Sequence, residues 1–166
     1  CFGGKEGLYH EVVRSIVGYG KKMIFPELEK VRKELESGNP DREQLLEMLE
    51  RLTVNYANLA TNDETPHIAP IIFQEQLRPT KAFQILYDEM LRHEHKVFTS
   101  LTARLLNLPP ESREAILHAH AILGQVMIFL AGRALILKRL GAKKFSKSDA
   151  ELISRTLKQH IRAIFK

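Results

Sequence analysis

Tryptophan is absent from this chain and cysteine occurs once, at Cys1. A single thiol can neither close a disulfide within the chain nor assemble a cysteine-rich zinc site, which suits the reducing conditions of a cytoplasm. Aromatic residues make up only 7% of the sequence, and β-branched runs bounded by turns, the mark of strands, are hard to find. The expectation is an all-α fold. No glycine-rich phosphate loop, Ser-centred nucleophile elbow or His-Glu-x-x-His zinc motif occurs, so no enzyme class announces itself and no cofactor is expected. The longest apolar stretch, Ala121 to Leu137, contains Gln125 and Arg133 and falls short of the roughly 20 residues that span a bilayer. It reads as a buried helix, and no membrane partner is expected.

What is present fits one domain with a sizeable core, in 166 residues. The net charge of +5 is concentrated towards the C-terminus. From Arg133 onward, lysines and arginines face only Asp149 and Glu151. Aromatic residues do not interleave with these bases as stacking platforms for nucleic acid would require, so the region reads as a solvated helical face.

Helical periodicity and punctuation divide the chain into six helices. The first, from about Lys5 to Glu36, carries Leu8, Val12, Val13 and Ile16 on one side, and Gly18, Gly20 and Pro26 weaken and should bend its middle. The second opens at Asn39-Pro40-Asp41, a cap residue followed by proline at the first helical position, and runs to about Thr61. A third, Pro66 to Leu77, is made irregular by Pro70. The fourth opens at Arg78-Pro79-Thr80 and reaches about Leu106. The fifth, from about Glu111 to Leu140, is apolar nearly all round and must be covered on two sides. The sixth opens with an expected capping box from Ser148 to Glu151.

Two sets of residues carry a resemblance. The opening run Phe2-Gly3-Gly4-Lys5-Glu6-Gly7-Leu8-Tyr9 resembles the junction of TetR-family bacterial repressors, where the DNA-recognition helix gives way to the fourth helix. Gln74-Glu75-Gln76-Leu77-Arg78-Pro79-Thr80, Leu101-Thr102-Ala103-Arg104-Leu105-Leu106 and Ala119-His120-Ala121-Ile122-Leu123-Gly124-Gln125 resemble the C-terminal domain of the CecR (YbiH) branch. The resemblance implies a TetR-type ligand-binding and dimerisation domain over residues 5–166. Residues 1–4 would be the remnant of a helix-turn-helix DNA-binding domain that is otherwise absent. It further implies a cytoplasmic repressor of efflux or antibiotic-tolerance genes, a homodimer joined by the last two long helices of each copy, operator DNA bound through the missing head, and a small-molecule effector.

Several residues interrupt these patterns. His93-Glu94-His95 and His118-Ala119-His120 invite a metal or enzymatic reading, but residues two apart on a helix point away from each other, so a site would need one histidine from each pair plus a third group. Glu64-Thr65-Pro66-His67 has the acid-x-x-His form of di-iron bundles, yet occurs once and contains proline. No metal is expected. Glu94 and Arg133 each fall where an apolar stripe expects a hydrophobe, and both read either as a structural ion pair or as polar groups of a cavity. Tyr56, Phe73, Phe83, Tyr87 and Met90 could line that cavity, with Gln76, Glu94, His120 and Arg133 as its polar groups. An apolar or amphipathic ligand with one polar end is the expected fit. Ala121, Gly124, Ile128, Ala131 and Leu135 form a small-residue stripe suited to close helix approach, and with Ile153, Leu157 and Ile161 they are the expected dimer contact.

Overall fold

The computed structural model describes residues 4–166, and over these the chain is α-helical without strands. Cys1, Phe2 and Gly3, and with them most of the proposed DNA-binding remnant, lie outside the described residues. The helices are α1 (Gly4–Ser37), α2 (Arg42–Thr61), α3 (Thr65–Leu77), α4 (Lys81–Leu86), a π-helical turn (Tyr87–Leu91), α5 (Arg92–Leu106), α6 (Arg113–Ala131), α7 (Arg133–Leu140) and α8 (Lys147–Ile164). The six expected rods are all present, two of them subdivided.

Side-chain caps set several boundaries. Asp41, not Asn39, caps α2, and its carboxylate accepts from Gln44 N at 2.9 Å while Gln44 Oε1 accepts from Asp41 N at 2.8 Å. The box expected at Ser148 and Glu151 lies two residues earlier, between Ser146 and Asp149. Both candidates satisfy the Ser-x-x-acid pattern, and the earlier one wins because Phe145 just before it is buried and fixes where the helix begins. Asn107 and Gly141 close α5 and α7 in the left-handed conformation.

Pro26 leaves α1 unbroken. It sits on the exposed face, as does Lys22 four residues before it, so water can satisfy the carbonyl that proline leaves without a donor.

Burial divides into two clusters. In the larger one, α2 occupies the centre with Leu49 and Leu52 fully covered, packed on α8 through Leu157 and Ile161, on α5 through Phe98 and Leu101, and on α6 through Ile122 and Val126. Each such side chain contributes about 1.5–3 kcal/mol on leaving water. Leu28, Val31 and Leu35 bring the C-terminal half of α1 into this core. Its N-terminal half belongs to a second, smaller cluster, in which Val13 and Val17 meet Ala82 and Leu86 of α4 and Met90 of the π turn.

The fifth rod is covered on one side only within the chain. Ala119, Ile122, Leu123 and Val126 face the core, whereas Leu117, Ile128 and Leu135 are exposed. By length and composition α6 is apolar enough to cross a membrane, but its inner face is part of the core.

Candidate functional site

Between the two clusters lies a cavity of about 250 Å³. Its apolar wall comes from Ile24 of α1, Leu59 of α2, Ile72 and Phe73 of α3, Met90 and Leu91 of the π turn, and Leu123, Met127 and Leu130 of α6. Its polar groups are Tyr56, Thr65, Gln76, Glu94, His95 and His120. Six of the nine residues expected from the sequence therefore meet here: Tyr56, Phe73, Gln76, Met90, Glu94 and His120.

Glu94 is the unusual member. It is 5% exposed, and its Oε1 has no hydrogen-bond partner among the described residues, nor has the Tyr56 hydroxyl or Thr65 Oγ1. Burial pushes the Glu94 carboxyl up to about 7, with Tyr56 opposing part of that rise. The Tyr56 hydroxyl is raised well above its ordinary value by burial and then by Glu94. The Tyr56 ring is held edge-on against Phe98 with centroids 5.5 Å apart. No lysine or arginine lines the cavity.

His95 and His120, one from each sequence pair, stack with centroids 5.5 Å apart. Burial, and then His120, hold the His95 imidazolium below its ordinary range. The other two histidines diverge: His93 meets the Phe25 ring on the opposite side of α5, and His118 lies beside Glu114 on the surface. Among the described residues no three His, Cys, Asp or Glu side chains converge as a metal site would require.

Three expected cavity residues lie elsewhere. Phe83 and Tyr87 stack on each other, with centroids 6.0 Å apart, and line a wider open groove of about 740 Å³. In an uninterrupted α-helix, residues 83, 87, 90 and 94 would share one face. The π turn at Tyr87–Leu91 inserts a wider turn and shifts the phase, so that Met90 and Glu94 face the cavity while Phe83 and Tyr87 do not. The groove and the cavity share Gln76, Leu91, His95 and His120 as a common wall.

Arg133 does not face Glu94. Gly132 ends α6, the rod restarts at Arg133, and the guanidinium turns to the end of α2. There it donates to the Ala60 carbonyl at 3.1 Å, reaches Asp63 at 3.4 Å and lies over the Phe145 ring. A cation at a helix C-terminus satisfies free carbonyls and complements the helix dipole, which makes Arg133 a structural cap.

The stripe Ala121, Gly124, Ile128, Ala131 and Leu135 is exposed along its whole length. Ile153, Leu157 and Ile161 are instead 8%, 3% and 2% exposed and pack inward on α2. The strongest apolar stripe of α8 thus serves this chain's own core, leaving Leu152, Ala163 and Ile164 on its outer surface.

Glu75 was missed from the sequence. It is fully buried and accepts from Tyr9 Oη at 2.7 Å and from Thr80 N at 2.9 Å, tying α1, α3 and the start of α4 together. Although burial acts to raise it, these donors hold its carboxyl below the ordinary range. Its spacing of seven, four and three from Ile68, Ile71 and Ile72 was the available signal for an inward position.

Residues 42–166 match the family described as the C-terminal domain of the HTH-type transcriptional dual regulator CecR. The chain is also 31% identical over 160 residues to the HTH-type transcriptional dual regulator CecR of Shigella flexneri, covering 96% of this chain and 72% of that protein.

Proposed function

The chain belongs to the CecR branch of the TetR-family regulators, and from that membership we propose that it is the effector-binding and dimerisation part of a ligand-responsive regulator of transcription. DNA reading is assigned to a helix-turn-helix in the part of the relative that this chain does not cover. Genes of efflux or antibiotic tolerance, the targets the resemblance implies, are its proposed output, repression its mode and the cytoplasm its place.

The observation that carries this reading is the position of the cavity between the two clusters of buried residues. Met90 lines the cavity and at the same time rests on α1 at Gly20, where an added Cβ would overlap the Met90 sulfur. Glu89 of the same π turn holds Lys21 at 3.0 Å. An apolar or amphipathic molecule in the cavity would press on the π turn, and the π turn would press on the N-terminal half of α1. Two DNA heads on a symmetric dimer must match half-sites a helical turn or its multiple apart, so a small pivot of each α1 suffices to spoil the fit. Weakening operator binding a hundredfold requires the ligand to favour the incompetent state by about 2.7 kcal/mol.

The proposed dimer uses the exposed face of α6 and α7 together with the outer surface of α8. The chain exposes 10109 Å², whereas a compact monomer of this size exposes roughly 8,400 Å². That surplus is ample for the ~1,000 Å² that each protomer would cover in a dimer burying about 2,000 Å² in total.

The test is fluorescence anisotropy of the intact regulator on its operator, titrated with compounds first selected for raising this domain's melting temperature. Release of the operator by cavity-binding compounds is the expected result, and Ala60→Phe, whose side chain fills the cavity, should bind the operator weakly with no compound added. Compounds that bind the cavity and leave operator affinity unchanged would sink the proposal.

A further inference from the structure

Glu94 carries the argument one step further than a generic effector cavity. Glu94 Oε1 is buried against a pocket whose lining includes no lysine or arginine, and among the described residues it accepts no hydrogen bond; the nearest donor is the Tyr56 hydroxyl, itself unpaired. Glu75 shows how this same fold treats a buried glutamate that serves structure, with Tyr9 and Thr80 donating to it. The acceptor at Glu94 Oε1 is left without a partner while most of the surrounding wall is apolar, and the small volume favours a compact body.

We propose that the cavity takes a small primary ammonium compound, whose apolar body packs between Ile24, Leu59, Ile72, Met90 and Leu123 and whose cationic end donates to Glu94. This rests on the effector-binding reading and names the chemical class of that effector. The stacked His95 and His120 separate the cavity from the open groove, and the ligand reaches Glu94 past them. An isolated buried carboxylate is held largely protonated near pH 6 by its surroundings, and an ammonium group makes ionisation favourable. Binding therefore displaces a proton from Glu94 below neutrality. Tyr56 from α2 neighbours that carboxyl, and two further titratable groups line the same cavity, His95 from its own helix and His120 from α6.

The test uses isothermal titration calorimetry with hexylammonium, cyclohexylmethylammonium and 3-phenylpropylammonium, each beside the alcohol and the carboxylate of matching shape. At least one ammonium probe is expected to bind ten times more tightly than its alcohol and to exceed its carboxylate by more. Its affinity should rise about tenfold from pH 6 to pH 8, with close to one proton released at pH 6. Glu94→Gln should remove the preference for the ammonium over the alcohol and most of the pH slope, any residual slope belonging to the histidine pair, while alcohol binding persists. Binding of alcohols or carboxylates in preference to all three ammonium probes, no binding by any ammonium probe, or an unchanged preference in Glu94→Gln would overturn the proposal. Alcohols that bind and release the operator would keep the effector reading while rejecting this charge assignment.

Discussion

Glu75 and Glu94 are buried to a similar degree and differ in what reaches them. Donors from Tyr9 and Thr80 satisfy Glu75, whereas Glu94 Oε1 has none. A carboxyl raised to about 7 in the folded state binds a proton more tightly there than in the unfolded chain. Its contribution to stability is therefore greatest below the unfolded value near 4.5 and is lost as pH rises towards 7. Glu94→Gln, which removes the charge and keeps the shape, should stabilise the protein at pH 8 by on the order of 3 kcal/mol and change it little at pH 4. Urea denaturation of both proteins at the two pH values checks this, and equal differences at both would refute it. Glu94 was legible in the sequence because a charge at that helical phase interrupts an apolar stripe. Arg133 offered the same signal, but its partners come from the end of α2, and only tertiary structure brings Ala60, Asp63 and Phe145 beneath it.

At the scale of elements, the number and order of the helices were readable from periodicity, caps and prolines, since these are local properties. The π turn and the interruption at Gly132 were not. Nothing in Tyr87-Asp88-Glu89-Met90-Leu91 demands a widened turn by itself, and the turn packs against α1 at Gly20 and Lys21, contacts that only the tertiary structure reveals. That local difference moved Phe83 and Tyr87 out of the cavity and kept Met90 and Glu94 within it. Gly18 and Gly20 allow the contact to be weighed. A Cβ at exposed Gly18 meets no atom within 4 Å, so Gly18→Ala should stabilise α1 by about 0.5–1 kcal/mol. At Gly20 the same change must displace Met90 towards the cavity. Gly20→Ala should forfeit that gain and weaken ligand binding about tenfold, whereas Gly18→Ala leaves binding unchanged. Thermal denaturation and calorimetry of the pair measure both effects, and identical behaviour of the two variants would remove Met90 from the coupling route.

At the scale of the whole molecule, the chain has more apolar helix surface than it covers. Leu117, Ile128 and Leu135 lie 67%, 60% and 70% exposed along one side of α6 and α7. The sequence disclosed this stripe through its small residues, but it assigned Ile153, Leu157 and Ile161 to the same contact when α2 claims them for the core. A helix with two apolar faces does not say which face stays at home. Sedimentation velocity at micromolar concentration should report a dimer, and Ile128→Glu should weaken it at least about tenfold without lowering the helical content of the protomer. A monomeric wild type would contradict the proposed assembly.

The central claim is that filling the cavity moves the N-terminal halves of α1 in a dimer. Pulsed electron resonance between nitroxides on Lys5→Cys of the two protomers, with Cys1 replaced by serine, reads that movement directly. From Gly20 to Lys5 the helix is a lever of about 22 Å, so a pivot of about 10° displaces its end by about 4 Å. Comparison of the open cavity with one occupied by the Ala60→Phe side chain should shift the distance between labels by about 4 Å or more. A distance distribution that stays the same when the cavity is filled would contradict the account.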